Sequence, residues 1–263
     1  MPERFDKLIK AAIVDGSFFT KGVRMEQRII RQGMLTGEKA VEKLKNCHVA
    51  VFGLGGVGSW CAEALARAGT GEVTLIDSDC FSESNINRQL GAVYSTINQE
   101  KTSVMASRLK DINPEIILHT ITGTYSAENR EEFFSDYDYV ADAIDLVSCK
   151  TDLIVSCIER EIPIISAMGT GNKKDASQLC ITDISKTKSC PLARVMRREL
   201  RTRGIAHHTV VYSPEEPLEP DQFEVPPPGR RSIPGSFVWV PATAGLLMCQ
   251  HIILNLISED DKA

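Results

Sequence analysis

The chain has no CxxC pair: its eight cysteines, at positions 47, 61, 80, 149, 157, 180, 190 and 249, are never separated by two residues, which excludes the paired spacing of a zinc ribbon. It also lacks a basic balance. Thirty Lys and Arg against 35 Asp and Glu leave a net charge of −5, so bulk charge gives no hint of nucleic-acid binding, although local distribution counts for more than the sum. No internal repeat is visible. The first residues, MPERFDKLIKAAIVDG, carry no apolar core of secretory length, and with scattered cysteines they read as a cytoplasmic protein with reduced thiols. The most apolar stretch, Phe237 to Ile257, is interrupted by Pro241, Gln250, His251 and Asn255. A membrane span wants about 20 nearly unbroken apolar residues, so a buried strand and a packed helix are expected there rather than an integral membrane protein. What is present, 43% hydrophobic and 25% charged residues over 263 positions, is the composition of a globular protein with a substantial core.

Residues 1–46 read mostly as helix. The apolar run Val49-Ala50-Val51-Phe52 then stops at Gly53, and alternation begins. Helices are expected at about 57–68, 99–111, 127–134 and 148–160, and strands at 73–76, 116–122, 139–143 and 163–166. Such alternation implies an α/β fold, a Rossmann-like, mostly parallel sheet flanked by helices, over residues 47–170. Residues 171–263 form a C-terminal extension of the same globular unit. A strand at Leu179-Cys180-Ile181 precedes a basic helix, Pro191 to Arg203, and seven of the twelve prolines crowd Ser213 to Gly235. That segment reads as a long mobile Pro-rich loop.

Gly53-Leu54-Gly55-Gly56-Val57-Gly58-Ser59 follows a strand and opens a helix. Glycines there allow a tight turn and close approach of backbone to phosphate, while the helix N-terminus offers unpaired N–H groups. Asp77, 21 residues after Gly56, ends the next strand at the spacing where a carboxylate bonds ribose hydroxyls. These features alone fit a nicotinamide-dependent dehydrogenase equally well. The following segment, Asp77-Ser78-Asp79 through Asn85-Ile86-Asn87-Arg88-Gln89 to Lys101, separates the two. A hydride-transfer cofactor does not need so many cationic and amide donors; a triphosphate undergoing displacement at phosphorus does. Asp145 lies past another strand end, where a carboxylate can hold magnesium.

The glycine turn, the DxD, Asn-x-x-Arg-Gln, a lysine thirteen residues later and an acid at the fourth strand together resemble the adenylating superfamily of ubiquitin-activating enzymes and activators of small sulfur carriers. The resemblance implies that Gly53, Gly55, Gly56, Gly58, Asp77 and Asp79 hold ATP, with Asn85, Arg88 and Lys101 on its phosphates. It implies that Asp145 places Mg2+, and that Arg31, or else Arg28, reaches the neighbouring subunit's site in a homodimer. Asp183-Ile184-Ser185-Lys186-Thr187, Pro191-Leu192-Ala193-Arg194-Val195-Met196-Arg197-Arg198 and Val211-Tyr212-Ser213-Pro214-Glu215-Glu216-Pro217 resemble the tRNA threonylcarbamoyladenosine dehydratase branch over residues 24–258. The function implied is ATP-dependent ring closure of that tRNA modification through an acyl-adenylate; the alternative is activation of a ubiquitin-like sulfur-carrier protein. A non-catalytic nucleotide-binding protein is disfavoured by the intact polar set. The resemblance leaves room for a monovalent cation and for sulfur-transfer proteins as partners.

Two departures stand out. The glycine-containing approach to the lysine is Asn98-Gln99-Glu100 here, and an acid common before Pro191 is Cys190, so that acid's role is not carried over. The implied chemistry requires no enzyme nucleophile. Each cysteine therefore reads as core or incidental, Cys190 being the one to test. Arg194, Arg197, Arg198 and Arg201 recur at helical spacing, with Lys186, Lys188, Arg203, Arg230 and Arg231 close by in sequence. In an otherwise acidic chain this row is the expected tRNA contact. His207-His208 reads as a loop pair without metal-ligand partners.

Overall fold

The computed structural model describes residues 18–20, 23–226 and 232–258, with side chains from residue 26 onward. Arg230 and Arg231 lie outside the described residues. The N-terminal segment is not all helix. Strands β1 (Phe18–Thr20) and β2 (Val23–Met25) pair antiparallel, and only then come helices α1 (Ile30–Thr36) and α2 (Glu38–Lys45).

The main sheet contains β3 (His48–Phe52), β4 (Glu72–Asp77), β5 (Ile117–Thr122), β6 (Tyr139–Asp142), β7 (Ile164–Ala167), β8 (Cys180–Asp183) and β9 (Thr209–Tyr212). Their spatial order is β5-β4-β3-β6-β7-β9-β8, and every pairing is parallel except β8 with β9. The crossovers run through α3 (Gly58–Ala68), α4 (Lys101–Ile112) and α5 (Val147–Glu159). The order in which strands are added reverses between β3 and β6, and a crevice opens at such a switch point, above the strands' carboxyl ends. β3 is buried at all five positions, as a strand covered on both faces must be. Leu65, Leu75 and Met105 fill the core on one face, and Phe52, Leu153 and Met196 that on the other.

Three expectations change. The helix at 127–134 is only a 3-10 turn, Arg130–Phe133. β9, unmarked in the sequence reading, inserts between β7 and β8, so the C-terminal extension completes the same sheet. The stretch from Phe237 contains no strand: α7 (Trp239–Ser258) takes Pro241 into its first turn, where a missing N–H costs nothing. Among the described residues, α7 is the one helix long and apolar enough to cross a membrane by length and composition. Here it packs on α3 as a core helix, with Val240, Ala244, Met248, Ile252 and Leu256 buried. A Cβ at Gly245 would lie 2.3 Å from the Val57 carbonyl, so only glycine lets α7 approach the start of α3.

Candidate active site

The glycine turn crosses from β3 to α3 at the reversal point. Gly53 holds φ +87°, and a Cβ there would meet the Ala143 carbonyl at 2.8 Å; one at Gly58 would meet the Gly53 carbonyl at 1.7 Å. Both close approaches are internal and set the shape of the turn. Gly55 differs: its nearest neighbour would be the Gln89 amide nitrogen at 3.9 Å, so its bare backbone faces the cleft. Gly53, Gly55, Gly56, Asp77, Asp79, Asn85, Arg88, Lys101 and Asp145 all line one cleft of about 790 Å3, within the usual range for a small-molecule site. Gly58 lies just behind it, in the first turn of α3.

Asp77 locks the turn to the second strand, accepting the Leu54 N–H at 2.6 Å and the Asp79 N–H at 2.8 Å. The Lys101 ammonium, nearly buried, lies 2.9 Å from Asp79 Oδ2 and 3.5 Å from Asp77 Oδ1. It opens α4 at the cleft wall. The departure at Asn98 is accommodated because this asparagine adopts φ +66°, a left-handed conformation that asparagine tolerates better than most residues. Asn85 caps a short 3-10 turn, its Oδ1 accepting the Ser82 N–H at 3.2 Å. The Arg88 guanidinium donates to the Ser84 carbonyl at 2.8 Å and to Asn87 Oδ1 at 2.9 Å. Burial pulls it below its ordinary pKa, and the Asp145 carboxylate opposes that pull. The cleft thus juxtaposes two preorganised cations, a row of carboxylates and exposed peptide backbone, a set suited to a nucleoside triphosphate with a hard divalent ion.

Arg28 and Arg31 are not brought to this cleft. Arg28 pairs with Glu26 at 2.7 Å and sits beside Gly69, past the far end of α3, roughly 16 Å of helix away from the glycine turn. Arg31 is exposed on α1, beside Met34 and Leu35, which are 71% and 90% exposed.

The arginine row is on helix α6 (Pro191–Arg201), but it is not uniform. Arg194, Arg198 and Arg201 are exposed along one stripe. Arg197 turns inward instead and donates to the Thr187 carbonyl and hydroxyl, both at 2.7 Å. Cys190 is 2% exposed, packed in the second core at the cleft wall. The Pro-rich segment is irregular but anchored at several points. Lys173 donates to the Glu215 carbonyl, the Glu215 carboxylate accepts the Lys174 and Asp175 N–H groups, and Gly235 and Asn172 exchange two bonds of 2.7 Å. Cleft-lining Pro217, Pro234 and Gly235 come from it.

One buried cluster was missed by the sequence reading. Asp142 and Lys150 are both fully buried, with Lys150 Nζ 2.9 Å from Asp142 Oδ2. That approach is off the hydrogen-bond axis, leaving Oδ2 without an aligned donor, while the ammonium donates to the Ile144 carbonyl at 2.8 Å. His207 and His208 do share the loop that precedes β9, but His208 turns inward. It is buried against Ser166 Oγ at 2.8 Å, whereas His207 is exposed beside Asp183 at 3.1 Å. Burial, then the Lys150 charge, push the His208 imidazole down to about 4. Only the placement of Lys150 four residues inside α5 could have signalled the cluster, since a lone lysine in an apolar helix face must find a partner.

The chain matches the ThiF family over residues 28–262. It is 41% identical over 246 residues to the tRNA threonylcarbamoyladenosine dehydratase of Bacillus subtilis (strain 168), covering 89% of this chain and 96% of that one. Among solved structures, it is similar to the E. coli tRNA N6-threonylcarbamoyladenosine dehydratase in complex with AMP and with ATP. The TM-scores are 0.82 and 0.81 at 34% identity, over 90% of this chain and 96% of each. Similarity to the molybdopterin-synthase adenylyltransferase of E. coli (strain K12) is 31% over 145 residues, covering 55% of this chain and 57% of that one.

Proposed function

The chain belongs to the ThiF family, and we infer that it is an ATP-dependent tRNA threonylcarbamoyladenosine dehydratase. The observation that carries this reading is the intact polar cleft in a chain that aligns with nearly the full length of such enzymes. A carboxylate is a poor electrophile until one of its oxygens becomes a good leaving group. The substrate carboxylate attacks the α-phosphorus of ATP, the bond to pyrophosphate breaks, and an acyl-adenylate forms. A nitrogen of the same modification then attacks the carbonyl, loses its proton and expels AMP, so the ring closes with net loss of water. Both reacting groups belong to one side chain, which gives the second step its effective concentration.

Lys101 and Arg88 are assigned to the phosphates, where charge builds as pyrophosphate leaves. Asp77 is assigned to the adenosine end, which keeps the turn fixed while ATP binds. Asp145, a hard oxygen donor in the cleft beside Arg88, fits Mg2+, whose chemistry there is to neutralise phosphate charge. Incubating purified protein with ATP and tRNA that carries open threonylcarbamoyladenosine should give a nucleoside lighter by one water, with one AMP released for each ring closed. AMP release that requires a carrier polypeptide and ignores tRNA would overturn this in favour of the sulfur-carrier activator. That alternative has the shorter alignment and lacks the CxxC pairs.

The tRNA is assigned to the exposed stripe of α6. Reversing charge at Arg194, Arg198 and Arg201 should weaken tRNA binding while ATP affinity stays constant. Each lost phosphate contact should lower the log–log salt slope by about 0.7–0.9. An unchanged slope places the tRNA elsewhere.

A homodimer is the assembly in which Arg31 could serve a cleft, because α1, which carries it, is tied by Gln32 to the Ala68 carbonyl at the end of α3 opposite its own cleft. Exposed Met34 and Leu35 beside it are suited to an isologous contact. Mixing Arg31→Ala with Lys101→Ala chains should restore activity in those heterodimers that retain one complete site. No recovery with either Arg31 or Arg28 variants rules out a shared site.

A further inference from the structure

At the end of the sheet opposite the cleft, three adjacent strands bring together side chains that adenylation does not use. His48 opens β3, Glu72 opens β4, and His119 is the third residue of β5. His48 is the direct neighbour of Glu72 in register, and His119 is opposite Thr74. Strand alternation therefore puts His48, Glu72, Thr74 and His119 on one face. Glu72 Oε1 lies 2.7 Å from His119 Nε2 and 3.5 Å from His48 Nδ1. One ligand atom from each of the three residues lies within 4.8 Å of the others.

The Thr74 hydroxyl lies 2.8 Å from His48 Nε2, so ligation through Nδ1 has a ready acceptor for the proton that Nε2 must then carry. In that tautomer Nδ1 presents a lone pair toward Glu72 Oε1, 3.5 Å away, a distance long for a hydrogen bond. Two lone pairs facing each other are repulsive unless a cation lies between them. The ring is further held edge-on by Tyr137 at 4.9 Å.

We propose that His48 Nδ1, His119 Nε2 and Glu72 Oε1 bind a borderline divalent ion of the zinc class, with water as the fourth ligand. Two imidazoles and a carboxylate are a donor set zinc accepts in tetrahedral geometry. Tetrahedral bond lengths would set the two ring centroids about 5 Å apart, and they stand at 5.6 Å. His119 is half exposed, so it can yield the few tenths of an ångström that ligation asks. Thr74 acts as the outer hydrogen-bond partner that orients a ligating histidine. The site lies roughly 13 Å of strand from Phe52 at the cleft, so it would tie β3, β4 and β5 together without taking part in phosphoryl chemistry.

The test uses the full-length protein, stripped with chelator and titrated with zinc against a chromophoric competitor, and separately with cobalt. Wild type should bind one equivalent of zinc, and its cobalt spectrum should show tetrahedral ligand-field bands without a sulfur charge-transfer band. Thr74→Val should weaken binding by about 10–100-fold, and His119→Ala or Glu72→Gln by more. AMP release at the wild-type rate would report that each variant is folded. Undiminished zinc affinity in His119→Ala, a sulfur band in the cobalt spectrum, or no one-equivalent binding by wild type overturns the site.

Discussion

Lys101→Ala should slow AMP formation by roughly two to three orders of magnitude, the usual loss when one preorganised charge is removed from a developing oxyanion. The side chain is nearly buried between Asp77 and Asp79, so it is held in place before ATP arrives. The fold should survive its loss. Asp77 keeps the Leu54 and Asp79 N–H groups, and the Asp79 side chain, 67% exposed, can be hydrated. Rates of AMP and pyrophosphate release under saturating tRNA make the measurement, with circular dichroism as the control for folding. A phosphate role also predicts that the deficit persists at saturating ATP, because the charge builds in the transition state rather than in the bound ground state. A near-wild-type rate would remove Lys101 from the catalytic set.

That lysine was legible in the sequence because its neighbours come in a fixed order after a glycine turn, and each follows a strand end. Strand ends converge physically in a doubly wound sheet, so order along the chain becomes proximity in space. The parallel character of the sheet was legible for a similar reason, because apolar runs alternating with helical periodicity mark crossover units, whereas the strand order β5-β4-β3-β6-β7 came only with the structure. β9 was not legible. Four residues, Thr209–Tyr212, paired on one side with Ser166 and Ala167 of β7 and on the other with β8, carry no periodicity of their own and follow two histidines that suggested a loop. The strand expected at Phe237 failed because an apolar run has no period to distinguish strand from helix, and Pro241 suggested a break where the structure has a first turn. Arg197 shows the limit of spacing arguments. It shares the helical spacing of Arg194 and Arg201, yet the Thr187 carbonyl takes its guanidinium inward, and spacing along one helix says nothing about an acceptor on the preceding loop.

Lys150→Met should be among the most destabilising single substitutions in the chain. Lys150 and Asp142 are fully buried, at the strand end from which Asp145 enters the cleft. Removing the ammonium leaves a carboxylate in the core with the Ile144 N–H as its remaining donor, and breaking one side of a buried pair costs about 3–5 kcal/mol. The Ile144 carbonyl also loses its donor. Chemical denaturation should show this as a fall in midpoint at unchanged slope. The loss should come from the stranded charge rather than from missing contacts, and Asp142→Asn in the same chain separates the two. If the charge is responsible, the double variant Asp142→Asn/Lys150→Met should recover much of the stability, because a neutral amide is far cheaper to bury than a carboxylate. The same substitution should raise the His208 pKa, since Lys150 is one of the two influences holding that imidazole down. A double variant as unstable as Lys150→Met, with His208 unmoved, would mean that the lysine stabilises this strand end by packing alone.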